Sequence, residues 1–216
     1  NDTPSLTRHG APPPPCQFLS DFLFSAAYGG AQVPYGCRSC YKILVWPHTL
    51  RGLMALRRIF EPIPRPTKVR NEALDARTPN SYLGIVYADG LDMARQLHRD
   101  IRVAIDAEPA LGATIRMEIR RGCTRYERAC GPSDRYSFDP ALEQVEQELA
   151  SSYRAPPPPL HPQQKRDAAA LLRLTQIAFQ LGDETYKDFT GGKALRFEPV
   201  SYDADGSDAD EEVRQA

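Results

Sequence analysis

The sequence predicts a mixed α+β domain in which strand, helix, strand, strand, helix and strand follow one another, within residues 17–138 of the 216. Three observations carry that expectation. The hydrophobic period switches repeatedly between two and 3.6 residues. Prolines and glycines fall at the switches. Two cysteine pairs bracket the first and the last strand.

An apolar stretch, Phe18-Leu19 through Phe22-Leu23-Phe24, runs into the turn Tyr28-Gly29-Gly30. Residues 41–46 then alternate Lys42, Leu44 and Trp46 with Tyr41, Ile43 and Val45, a strand pattern that Pro47 ends. Leu50, Leu53, Met54, Leu56 and Phe60 recur at helical spacing before Pro62, Pro64 and Pro66 stop them. Residues 67–72 make a short strand and residues 82–88 a clearer one. Asp89 is placed to cap the next helix, with Asp92 in its first turn. That helix buries Leu91, Ala94, Leu97, Ile101, Ala104 and Ile105, and Gly112 breaks it. Residues 113–121 alternate again, with Ile115, Met117 and Ile119 inward and Arg116, Glu118 and Arg120 outward.

With antiparallel pairing, this order gives one sheet with two helices on one face and the other face open, the ferredoxin-like β-α-β-β-α-β arrangement. A helix over 139–154 carries Leu142, Val145 and Leu149. A second, over 163–183, shows Leu171, Leu174, Ile177, Ala178 and Leu181, and suits either this domain or another chain. The 20 prolines cluster, with four in a row at 12–15 and again at 156–159. Residues 1–16 and 155–162 are therefore expected to be extended spacers, or docking sites for a proline-reading partner. Residues 184–216 are expected to form a mostly disordered acidic tail, with six acids between Asp203 and Glu212. The misplaced Gly206 and the missing closing Glu argue against an EF-hand there.

Four cysteines flank the domain: Cys37 and Cys40 before the first strand, Cys123 and Cys130 after the last. In this arrangement the first and fourth strands are antiparallel neighbours, so one begins where the other ends and the pairs are expected to meet. Four thiolates suit tetrahedral zinc, and less well an iron–sulfur cluster; disulfides or a redox Cys-x-x-Cys are the competing readings. Arg38, Arg121 and Arg125 would offset the negative charge of such a centre. Cys16 stands outside the set.

No apolar run approaches the ~20 residues of a membrane helix, and no leader pattern opens the sequence, so a cytoplasmic location without membrane contact is expected. The formal charge of −1 hides an asymmetry. Residues 33–135 hold 18 Lys and Arg against 11 Asp and Glu, while the remainder holds 9 against 17. A basic body suits a polyanion or an acidic partner.

On the open face, Lys42, Trp46, Tyr82, Arg116 and Arg120 are expected to interleave rings with cations, as single-stranded nucleic acid or RNA requires. The stretch Asn80-Ser81-Tyr82-Leu83-Gly84-Ile85-Val86-Tyr87 resembles the third strand of the RNA-recognition motif, with Tyr82, Ile85 and Tyr87 at its aromatic, aliphatic and aromatic places. The motif's basic residue, first glycine and middle aromatic are replaced by Asn80, Ser81 and Gly84. A non-enzymatic, metal-stabilised binding module is thus the leading expectation. The alternatives are a structural subunit of a protein assembly, such as a ribonucleoprotein or virion, and a small nuclease or redox enzyme. Of the histidines His9, His48, His98 and His161, only His48 lies at a strand-to-helix junction, and no nucleophile or phosphate-loop motif accompanies it.

Overall fold

The computed structural model describes residues 4–8, 16–72, 82–154 and 160–196. The proline blocks, His9, Asn80, Ser81 and the acidic run lie outside the described residues. Five strands form one antiparallel sheet: β1 (Ser5–Arg8), β2 (Cys40–Trp46), β3 (Thr67–Asn71), β4 (Tyr82–Asp89) and β5 (Arg116–Arg121), in the order β1-β3-β4-β2-β5. The helices are α1 (Leu50–Phe60), α2 (Leu91–Asp106), α3 (Thr124–Cys130), α4 (Ala141–Ser152) and α5 (Gln163–Gln180). A wide helix over Gln17–Ala27 precedes β2.

The first and fourth expected strands, β2 and β5, are antiparallel neighbours, with Tyr41 opposite Arg121 and Trp46 opposite Arg116. The edge strand β1 was not expected. It pairs with β3 inside the segment read as a flexible spacer. Its single apolar side chain, Leu6, was too small a signal to set against the prolines that follow, and β3 supplies the partner. One further boundary differs: β4 runs through Asp89, so Gly90 at φ 92° takes the cap position of α2.

Ile43 and Val45 from β2, Val69 from β3 and Val86 from β4 face α1 and α2, meeting Leu50, Leu53, Leu56, Phe60, Ala94, Ile101 and Ile105 in the main core. Helix α1 lies so close to β4 that a Cβ on Gly84 would stand 2.3 Å from Leu56 Cδ2 and 3.0 Å from the Phe60 ring. A side chain at 84 would overpack the interface. Thr49 caps α1, accepting from Gly52 N at 3.0 Å.

Helix α5 docks within this chain: Leu174 and Ala178 enter the main core and Asp167 pairs with Arg57 of α1 at 2.8 Å. The turn Glu184–Phe189, expected in the acidic tail, is ordered against α1. Its anchor is Asp183. One carboxylate oxygen accepts from Leu50 N at 2.6 Å and from Tyr82 Oη at 2.7 Å, and the other accepts from Thr185 N and Oγ1. Arg51 adds an ion pair to Asp188 at 2.5 Å. Sequence periodicity carries no trace of such a bolt between helices far apart in the chain.

A second apolar cluster sits beyond the sheet's end, where Phe18, Leu23 and Phe24 of the wide helix meet Cys37, Val33 and Tyr126. Helix α4 attaches here by a charged residue and not by all of the apolar residues it carries. Val145 and Leu149 are 47% and 37% exposed, whereas Glu146 is 5% exposed. The buried carboxylate is retained because it accepts from Tyr35 N, Gly36 N and Tyr28 Oη at 2.8–2.9 Å.

Asp183→Ala should destabilise the fold by about 2–3 kcal/mol in chemical denaturation, since it strips a cap from α1 and orphans the buried Tyr82 hydroxyl. Burial pushes the Asp183 carboxyl up, but the bonds from Tyr82, Thr185 and Leu50 outweigh it and hold the group below its ordinary 3.8. Its contribution is therefore present above that value and lost as pH falls through the lower folded-state value. The difference between the parent and Asp183→Asn should shrink in acid accordingly.

Candidate functional site

The pairing of β2 decides what the sheet shows on the side away from α1 and α2. Lys42 stands opposite Tyr87 and Arg120, Leu44 opposite Ile85 and Glu118, and Trp46 opposite Arg116. On the next pair, Lys68 faces Ile85 and Arg70 faces Leu83. Opposed residues share a face. The second face therefore carries Lys42, Lys68, Arg70, Arg116 and Arg120 around Leu44, Trp46, Leu83, Ile85 and Tyr87.

This face is less open than expected. Leu44, Trp46, Leu83 and Ile85 form a small buried cluster, and Trp46 is only 2% exposed. Long cations cover it: the Arg116 guanidinium lies 4.6 Å and that of Arg120 5.9 Å from the Trp46 ring centre. Glu118 sits between these arginines and pairs with both. Arg70 pairs with Glu72. Lys42 lies 5.4 Å from the Tyr87 ring centre.

Tyr82 is not on this face. It is 1% exposed, packed in the main core with its hydroxyl on Asp183. Because strand side chains alternate, Tyr82, Gly84 and Val86 point to the helices while Leu83, Ile85 and Tyr87 point away. The expected place of Tyr82 on the open face is thereby corrected: it lies on the helix side of the sheet, opposite Tyr87. Tyr87, half-buried, is the ring that borders the cations. Lys68 and Arg70 were overlooked, although Thr67-Lys68-Val69-Arg70 alternates about the buried Val69 and so places both outward.

The thiols gather at one end of the sheet. Gly122 N donates to Cys40 O at 2.9 Å, which sets the start of β2 beside the end of β5. Cys37 is buried in the second cluster, with Cys40, Cys123 and Cys130 packed against it. They do not share one centre. Cys37 Sγ lies 3.4 Å from Tyr126 Oη, Lys42 Nζ donates to Cys123 Sγ at 3.1 Å, and Cys130 Sγ donates to Gly30 O at 3.5 Å. Helix α3 accounts for the separation, because Cys123 caps its start and Cys130 is its last residue. Seven helical residues rise roughly 10 Å, against about 4 Å between sulfurs sharing one zinc. Among the described residues, no group of three or more His, Cys, Asp or Glu side chains stands ready to hold a metal ion.

Burial pushes the Cys37 thiol up to about 12, with Tyr126 partly opposing, and the Cys40 thiol up to about 11, with Lys42 partly opposing. Both are neutral thiols near pH 7, which disfavours nucleophilic or redox use. Burial alone would lower the Lys42 ammonium, yet Cys123, Tyr87 and Cys40 hold it above its ordinary value. The arginines expected to balance a metal centre are engaged elsewhere: Arg38 with Glu143, Arg121 with Arg38 O, and Arg125 with Asp21. Cys16 lies close enough for its charge to bear on Cys37, Cys40 and Cys123.

For an enzyme the site is sparse. His48 and His161 are exposed, and His98 is lowered by burial and by Arg102 and Arg99. A cavity of about 650 Å³ between β1, α1 and α5 is lined by Leu6, Phe60, Val69, Arg57 and Asp167, among others, with no histidine or cysteine among the described residues that line it. No helix among the described residues is long and apolar enough to cross a membrane. No protein-family model, curated protein or solved structure matches the chain.

Glu146→Ala should cost about 1–3 kcal/mol by leaving the amides of Tyr35 and Gly36 and the Tyr28 hydroxyl without their acceptor. Hydrogen exchange should rise in α4 and in the turn carrying Cys37, with β2 to β4 unaffected.

Proposed function

We propose that this is a non-enzymatic, ferredoxin-like binding module whose second sheet face takes single-stranded nucleic acid, RNA included. The observation that carries the reading is the convergence of Lys42, Lys68, Arg70, Arg116 and Arg120 on one face, over an apolar floor and around Glu118 and Glu72. Cations gathered on one face attract a phosphate backbone, and counterion release would drive association. Tyr87 is the ring available at the border. Trp46 would join only when Arg116 leaves its indole for a phosphate. The strand order β3-β4-β2-β5 supports the ferredoxin-like assignment.

Fluorescence anisotropy with a labelled single-stranded oligonucleotide tests the reading. Arg116→Ala and Arg120→Ala should each weaken binding about three- to tenfold and flatten its salt dependence by about one charge. Trp46 is the only tryptophan, so its emission should change on binding. Undetectable binding at low salt would end the proposal. Self-association without oligonucleotide would instead favour the assembly-subunit alternative, for which the exposed Val145 and Leu149 on α4 are the supporting observation.

The packing of Cys37, Cys40, Cys123 and Cys130 around one apolar cluster supports zinc on these four as a second part of the proposal, with an iron–sulfur cluster the lesser alternative. Such an ion would have to draw the thiols out of their present hydrogen bonds and unwind the end of α3 to bring in Cys130. Elemental analysis of chelator-free protein should find one zinc, lost in both Cys37→Ser and Cys123→Ser. Retention in Cys130→Ser would remove that residue from the set, and a metal-free parent protein would remove the site.

A further inference from the structure

We infer that β5 is a docking edge for a second copy of this chain, two chains joining there about a twofold axis into one continuous sheet. The inference goes beyond the reading of the cationic face and holds whether or not that face binds nucleic acid. β5 closes one end of the sheet. Gly122 N donates to Cys40 O, and carrying that bond along the register shows which backbone groups are already used. Arg116, Glu118 and Arg120 turn their amides and carbonyls toward β2. Met117, Ile119 and Arg121 turn theirs outward, where no backbone hydrogen bond from another element reaches them among the described residues. The edge carries no proline and its register with β2 runs without a bulge, so nothing in the backbone excludes a further strand.

Charge selects the occupant and the register. On the cationic side β5 alternates Arg116, Glu118 and Arg120, a pattern that complements itself when reversed and shifted. An antiparallel copy centred on Ile119 pairs Ile119 with its counterpart and Met117 with Arg121 in both directions, so every outward amide and carbonyl of the strand finds a partner. The same register sets Glu118 of each copy opposite Arg120 of the other. A carboxylate accepts at about four sites, so Glu118 takes the other copy's arginine without releasing Arg116 or Arg120 of its own chain. Centring on Glu118 would instead oppose the two glutamates and set Arg116 against Arg120. Centring on Met117 restores opposite charges but draws on Ile115, whose carbonyl already accepts from Arg102 Nη1 at 2.8 Å. The opposite edge, β1, is the poorer template, four residues long with Thr7 O accepting from Gln163. Such isologous pairing closes at two copies, unlike an open assembly through α4. Its axis stands perpendicular to the sheet, so the helices of both copies share one side and the two cationic faces lie next to each other on the other.

Sedimentation equilibrium of the full chain, without nucleic acid, should give twice the chain mass and return to the chain mass on dilution. Glu118→Arg and Arg120→Glu each set like charges opposite one another at both junctions, and each alone should weaken the dimer about tenfold. Mixed in equal amounts the two variants should pair again, because every junction then joins an arginine to a glutamate. No change confined to one chain produces that recovery. In the parent protein the amides of Met117, Ile119 and Arg121 should exchange more slowly at high concentration than at low, a readout that needs no variant to fold. Val145→Asp, on α4, should leave the dimer intact. A parent that keeps the chain mass at every concentration, exchange at these amides that ignores concentration, or a mixture no heavier than its components would overturn the inference. Loss of the dimer in Val145→Asp would overturn it too and move the interface to α4.

Discussion

Strand β2 lies between β4 and β5, and Lys42 stands opposite Tyr87 on one side and Arg120 on the other. Everything the sheet presents follows from that pairing. With side chains alternating every residue, the register sends Ile43 and Val45 into the helical core and Lys42, Leu44 and Trp46 to the opposite face. A slip of one residue would drive Lys42 into the core and Val45 among the arginines, costs that no other contact could offset. The same register sets Gly84 under α1, where a side chain would collide with Leu56, and Tyr82 where Asp183 meets it. The cationic face is thus the reverse side of a core that is tightly specified by packing.

Two carboxylates then attach what the core alone would leave loose. Asp183 binds the end of α5 to the first amide of α1 and to the Tyr82 hydroxyl, and Glu146 binds α4 to the turn preceding β2. Both satisfy backbone amides that would otherwise be buried without partners, so each acts through the cost of losing it more than through its net attraction. Glu146 has a further effect, because the turn it holds leads directly into Cys37. The position of that thiol depends on a helix more than one hundred residues away.

The chemistry at this end of the molecule is governed by burial. Cys37 and Cys40 are neutral thiols in an apolar setting, and Cys123 is paired with a lysine that burial has not discharged. The result is a basic corner that Cys123 borders, with the two buried thiols Cys37 and Cys40 set back from it in the apolar cluster. Arginines stacked on Trp46 give the neighbouring part of the face a different character: there, cations and ring already satisfy one another, and a ligand must compete for both.

Period and punctuation alone determined the order of elements, the extent of α1, the alternation of β2 and β5 and the meeting of their ends. Each of these is local or follows from the handedness and shortness of connections. Lys42, Arg116 and Arg120 were legible for the same reason, as outward residues of clear alternation. What required the tertiary structure was everything set by partners distant in sequence. Tyr82 changed sides because the register of β4 against β2, not its own composition, chose its face. Residues 5–8 became a strand because β3 offered an edge. The stretch between Cys123 and Cys130 wound into a helix, with one cysteine at its start and the other at its end. Helix α4 turned its charged residue inward because three hydrogen-bond donors awaited it, and for one buried carboxylate fully partnered that outweighs two exposed aliphatic side chains.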